Sequence, residues 1–112
     1  METTTVKTDV KTIDIIALEW FDKVNGNSYF AGTITVNYGT NEAREYKMPF
    51  QYGYGDQYIY EAASTLRENG ELDMKQYGNG SFESLWTVAE KNGIVCRYTK
   101  HKNCKKRELK DL

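Results

Sequence analysis

Three runs of strand-forming residues, TIDIIALEWF, YFAGTITV and AREYKMPF, follow one another between residues 12 and 50 with only short turn-forming segments between them. Apolar residues repeating every second position commit this stretch to neighbouring strands rather than helices. In Thr12 to Phe21, Ile13, Ile15 and Ala17 fall on one face and Ile16, Leu18 and Trp20 on the other, the pattern of a central strand covered on both sides. The Asn-Gly of VNGNS turns the chain into Tyr29 to Val36, where Phe30, Ile34 and Val36 share a face. NYGTNE supplies a second turn. In Ala43 to Phe50, Arg44, Tyr46, Met48 and Phe50 then alternate with Glu45 and Lys47. Pro49, the only proline, lacks an amide donor and is expected to end this strand near a sheet edge.

Helical spacing replaces the two-residue period after residue 56. Ile59, Ala62, Ala63 and Leu66 recur on one helix face, with Asp56 as the expected N-cap and Asn69-Gly70 as the stop. ELDMKQYGNG reads as a loop. A second helix is expected from a Ser81 cap, with Phe82, Leu85, Trp86 and Ala89 as its apolar stripe and Asn92-Gly93 as its end. Ile94 to Tyr98 reads as a fourth strand, and Asn103 is placed to cap a last basic helix within CKKRELKDL. The expected fold class is therefore α+β. It is an antiparallel sheet of three to four strands, two helices packed on one face and a short basic C-terminal helix.

A chain of 112 residues can bury one modest core, so residues 11–112 are expected to form one domain. Residues 1–10, polar and Thr-rich, read as a flexible arm. No apolar run approaches the roughly 20 residues that span a bilayer, and METTTVKTDV lacks the apolar core of a secretion signal, so a soluble, intracellular protein with no membrane partner is expected. The net charge of −1 hides a strong asymmetry. Residues 97–112 hold seven basic and two acidic residues, net +5, and the rest holds eight basic and fourteen acidic, net −6. Head-to-tail attraction between such ends makes self-association open.

Chemistry-bearing motifs are sparse. Cys96, His101 and Cys104 stand as C-x4-H-x2-C, one ligand short of a structural zinc site, so neither a metal nor another cofactor is expected. His101 sits alone among lysines, and no serine elbow or paired-carboxylate motif accompanies it; the expectation is a protein that is not an enzyme. QYGYGDQYIY, residues 51–60, can be read in two ways: its tyrosines can stack on a base or on a partner's side chain, or they can simply cover the sheet edge. As a phosphate cradle it is unsuited, because the acidic Asp56 occupies the capping place.

Three segments, EWFDKVNGNSYFAG, PFQYGYGDQY and NCKKRELKDL, carry a resemblance. An aromatic residue and Asp before NGNSY, an FxYGYGDxY loop and a final CKKRELK are similar to a group of small proteins encoded by bacteriophages and prophages, to which no activity or catalytic residue is attached. The resemblance implies a binding protein in the cytoplasm of a bacterial host, one that inhibits a host defence system in an anti-CRISPR-like manner by protein contact. Its expected contact surface comprises Trp20, Phe21, Asn25, Asn27 and Tyr29 of the first hairpin with Tyr52, Tyr54, Asp56 and Tyr58 of the tyrosine loop. These two groups share an end of the sheet only if the strand order is simple. The alternatives are nucleic-acid binding through Lys100, Lys102, Lys105, Lys106 and Arg107, or sequestration of a small signal nucleotide.

Overall fold

The alternation in the first half of the chain is realised as a three-stranded meander of β1 (Thr12–Asp22), β2 (Asn27–Val36) and β3 (Arg44–Tyr52). The computed structural model describes residues 10–112. The expected flexible arm lies outside the described residues except for Val10, which packs in the core. The antiparallel register pairs Ile15 with Ile34 and Trp20 with Tyr29 across β1 and β2, and Ile34 with Tyr46 across β2 and β3.

After the meander come α1 (Gln57–Glu68), α2 (Leu85–Lys91), β4 (Val95–His101) and α3 (Lys106–Lys110). The sheet order is β3-β2-β1-β4. β4 joins the far edge of β1 in parallel, Ile13 opposite Cys96 and Ala17 opposite Lys100, so the sheet is mostly antiparallel but mixed. Its direction follows from the connection: β3 ends at the hairpin end, and the two-helix crossover returns the chain to where β1 began.

Helices α1 and α2 cover one face. Tyr58, Ile59, Ala62 and Leu66 of α1 and Leu85, Val88 and Ala89 of α2 form one core cluster with Ile13, Ile15, Ile34 and Met48. The short α3 crosses the opposite face, touching β1, β2 and β3, with Leu109 as its one buried side chain. Coverage of β1 is thus less complete than its apolar pattern suggests, and Ile16 stays 42% exposed.

Several local expectations are corrected. Asp56 occupies the N-cap position of α1 without a side-chain capping bond; its backbone carbonyl accepts from Ile59 N instead. The second helix starts three residues later than expected. Ser84 Oγ accepts from Thr87 N at 3.2 Å, while Phe82 is held off the helix in a bridge to Gln76. Trp86 is accordingly half-exposed, and Val88 is buried with Leu85 and Ala89. Asn103 does not cap α3; it adopts a positive φ of 61°, and the cap is Lys105, whose amide donates to Glu108 Oε1. β3 runs through Pro49 to Tyr52 at the sheet edge. A bulge beside Pro49 shifts the register, so Phe50 lies on the face opposite Met48 rather than with it.

Glu71 is the most deeply buried of three buried polar residues among the described residues, with Asn37 and Glu83. Glu71, fully buried after α1, accepts from Arg44 Nε at 2.6 Å and Nη2 at 2.8 Å and from the Tyr46 hydroxyl. Burial, then the bond to Glu71, pushes the Tyr46 phenol up to about 12. The group ties β3 to the segment leaving α1.

Candidate binding surface at the hairpin end

All four strands bring functional candidates to one end of the sheet. The meander places the β1–β2 turn beside the end of β3, as the Tyr29–Tyr52 pairing shows. Because β4 is parallel to β1, with His101 opposite Leu18, the basic segment emerges at this same end. Two candidate regions that the sequence presents separately are therefore neighbours.

An aromatic ladder runs across the strands on the α3 face. Trp20 and Tyr29 stack at 5.5 Å between centroids, Tyr29 and Phe50 at 5.2 Å, and Tyr52 meets Tyr29 edge-on at 5.8 Å. Pairs of this geometry contribute about 0.5–1.5 kcal/mol beyond burial. Lys106 Nζ lies 5.3 Å from the Trp20 ring centre and Lys110 Nζ 5.5 Å from that of Phe50. Cation–π attraction thus holds α3 over the ladder beside its Leu109 anchor.

The tyrosine loop is a fixed turn. Gly53 N donates to Ser28 O, Tyr54 N to Gln57 Oε1, and Lys100 Nζ to Gly55 O at 3.0 Å. A side chain at Gly53 would stand 2.6 Å from the buried Phe30 ring, which would have to shift to admit it. The turn aims its tyrosines differently: Tyr52 and Tyr54 are 58% and 61% exposed, while Tyr58 is 6% exposed and belongs to the core. Burial also raises the Tyr58 phenol above its ordinary range.

The first hairpin turn is equally built. Asp22 accepts from Val24 N and Asn25 N and from Asn25 Nδ2, and the Asn25 amide holds the Asp22 carboxyl below its ordinary range. Asn25 thereby shapes the turn, with Asn27 half-buried at the start of β2 and Phe21 exposed at the end of β1. Asp56 is exposed.

Among the basic residues, Lys100 turns inward, paired with Glu19 at 3.4 Å. Lys102, Lys105, Lys106 and Arg107 are exposed. A cleft of about 330 Å³ joins the two candidate regions, lined by Trp20, Phe21 and Lys23 on one wall and by Cys104, Lys105 and Lys106 on the other. Cys104 N donates to Glu19 O at 3.0 Å and locks the walls together. Lys23, Phe50 and Lys110 are not among the site residues expected from the sequence. Only the bulge brings Phe50 to the ladder, and only the parallel β4 brings the basic segment to Lys23.

Cys96 packs against the core, where burial raises its thiol, and lies apart from Cys104 at the cleft; both are free thiols. Among the described residues no group of three His, Cys, Asp or Glu side chains is placed to hold a metal ion, and no helix is long and apolar enough to cross a membrane. A second cleft, about 300 Å³, lies between α1 and residues 81–85, where the Arg67 guanidinium sits 3.8 Å from the centre of the Phe82 ring. Comparison with family models, with curated proteins and with solved structures returns no match.

Proposed function

We propose that the chain is a non-catalytic binding protein that holds a protein partner against the hairpin end of its sheet. The observation that carries this reading is the exposure of Phe21, Tyr52 and Tyr54 at one end, on or beside turns fixed by hydrogen bonds and, at Tyr52, edge-on against the aromatic ladder. Rigid aromatic rings lose little conformational freedom on binding, which is why tyrosine and tryptophan are enriched among residues that dominate interface energies. The resemblance of the NGNSY and FxYGYGDxY segments to phage proteins supports a bacterial host protein of a defence system as the partner. Asp56 beside Tyr54 supplies a polar rim.

The test is affinity capture from nuclease-treated bacterial lysate, followed by reconstitution of the retained protein with purified variants. Tyr54→Ala and Phe21→Ala are expected to keep the melting temperature within a few degrees and to weaken the complex by roughly tenfold or more each, as interface anchors do. Undiminished affinity in both variants would refute the assigned surface.

A further inference from the structure

We infer that the cleft between the end of β1 and the β4–α3 connection is a binding site for a phosphorylated nucleoside, presented either as a free nucleotide or as an unpaired nucleotide of a single strand. This site rests on the lysine-lined cleft and not on the protein-contact reading above.

Three features carry the inference. The first is size: about 330 Å³ lies at the lower end of the roughly 300–1,000 Å³ typical of small-molecule sites and suits a single nucleotide. The second is charge. Among the described residues Lys23 and Lys105 have no ion-pair partner, and Lys106 meets the Trp20 ring and the field of Asp22 without an ion pair. The Asp22 carboxylate is turned to the donors of its own turn, and Glu108 accepts from Lys105 N, so neither forms an ion pair with the cleft lysines. Three lysines lining one cleft favour an anionic phosphate over a neutral ligand.

The third feature is the aromatic wall. Trp20 is backed by Tyr29 at 5.5 Å, so its ring is already oriented and its stacking geometry is set before a ligand arrives. Lys106 now covers that ring, and a planar base is the ligand that can take its place or slide beneath it while the ammonium moves to the phosphate. A purely phosphate-binding patch has no use for the ring, and a purely apolar pocket has no use for the lysines. The joint lining selects a ligand with both parts. The walls are pre-set by the Cys104 N to Glu19 O bond and by the buried Leu109, which keeps the required reorganisation to side chains.

The experiment titrates the full chain at low salt with adenosine 5′-monophosphate, adenosine, inorganic phosphate, a six-nucleotide single-stranded thymidylate and a DNA duplex, following amide chemical shifts. The monophosphate or the single strand is expected to shift the amides of residues 20–23 and 103–106 and to bind at least about tenfold more tightly than adenosine, phosphate or duplex. Lys23→Gln and Lys105→Gln, both exposed, are expected to fold normally and to lose roughly tenfold each, the effect of one charge-assisted contact. Trp20→Phe keeps a ring in the ladder and is expected to weaken the nucleotide without affecting phosphate. Preference for the monophosphate assigns the cleft to free nucleotides, and preference for the strand assigns it to nucleic acid. No binding of either up to millimolar concentration overturns the inference. So does binding shared equally with the duplex, or binding indifferent to Lys23 and Lys105.

Discussion

Replacing Arg44 with methionine takes a two-pronged cationic partner away from the buried carboxylate of Glu71. The guanidinium spans both Glu71 oxygens, at 2.6 and 2.8 Å, and is itself only 22% exposed, whereas the Glu71 side chain is fully buried. Removing one partner of such a pair costs about 3–5 kcal/mol because the remaining charge stays desolvated. The Tyr46 hydroxyl still donates to Glu71, which places the expected loss for Arg44→Met near about 3 kcal/mol at pH 7. For a domain of this size that corresponds to a melting temperature lower by about 12–20 °C. Urea unfolding followed by circular dichroism measures it. Acidification supplies the diagnostic: without the Arg44 guanidinium, burial disfavours the charged carboxylate more strongly than in wild type, so the deficit relative to wild type narrows between pH 7 and pH 4.5. The triple variant Arg44→Met, Tyr46→Phe and Glu71→Leu removes both charges together with the hydroxyl that would lose its acceptor, and is expected to lie closer to wild type than Arg44→Met alone. A single-variant loss below about 1 kcal/mol, or a deficit that does not narrow with acid, would refute the argument.

Three further outcomes follow from the same geometry. Tyr46, held up to about 12 against an ordinary value near 10, contributes stability that is fully present below about pH 10 and is lost as pH rises through 12. Tyr46→Phe is expected to shrink the alkaline fall in stability, leaving the part due to Tyr58, Tyr98 and Cys96, as urea midpoints between pH 9 and pH 12 will show. Gly32→Ala would set a Cβ 2.2 Å from the backbone oxygen of Ile16 on the neighbouring strand, which cannot step aside, so a loss of at least about 1–3 kcal/mol is expected by thermal unfolding. Leu109→Ala removes the only buried side chain of α3 and is expected to cost about 2–3 kcal/mol, confined to that helix. Amide exchange would then accelerate at residues 106–111 while the core strands keep their protection.

What the sequence reveals and what it conceals divide along local and non-local interactions. The meander is legible because alternation in β1, β2 and β3 is a property of each strand alone, and the Asn-Gly stops of α1 and α2 are likewise local. The position of β4 is not, since a short strand carries no mark of its partner or direction. The Ser81 and Ser84 caps are equally plausible by type; the backbone bonds around the Gln76–Phe82 bridge select Ser84. Phe50 changes face through a bulge that alternation does not foretell. Glu71 reads as a solvated loop charge because Arg44 stands 27 residues earlier. At the candidate surface, Phe21, Tyr52 and Tyr54 are legible as exposed aromatics, whereas the inward turn of Tyr58 and Lys100 depends on packing. The cleft depends on segments some 80 residues apart, and no single stretch announces it.

Parallel pairing of β4 with β1 also sets a timetable for the growing chain. β1 meets β2 across a tight turn, but Asp14 waits 83 residues for Arg97. During synthesis the meander and α1 are complete while one edge of β1 still presents free amides and carbonyls, and the Trp20–Tyr29–Phe50 ladder has no lid. Unpaired edges beside exposed aromatics are where nascent chains adhere to one another. Residues Val95 to Leu112 close both openings together, so a chain released before Val95 keeps most of its core-forming residues yet is expected to aggregate.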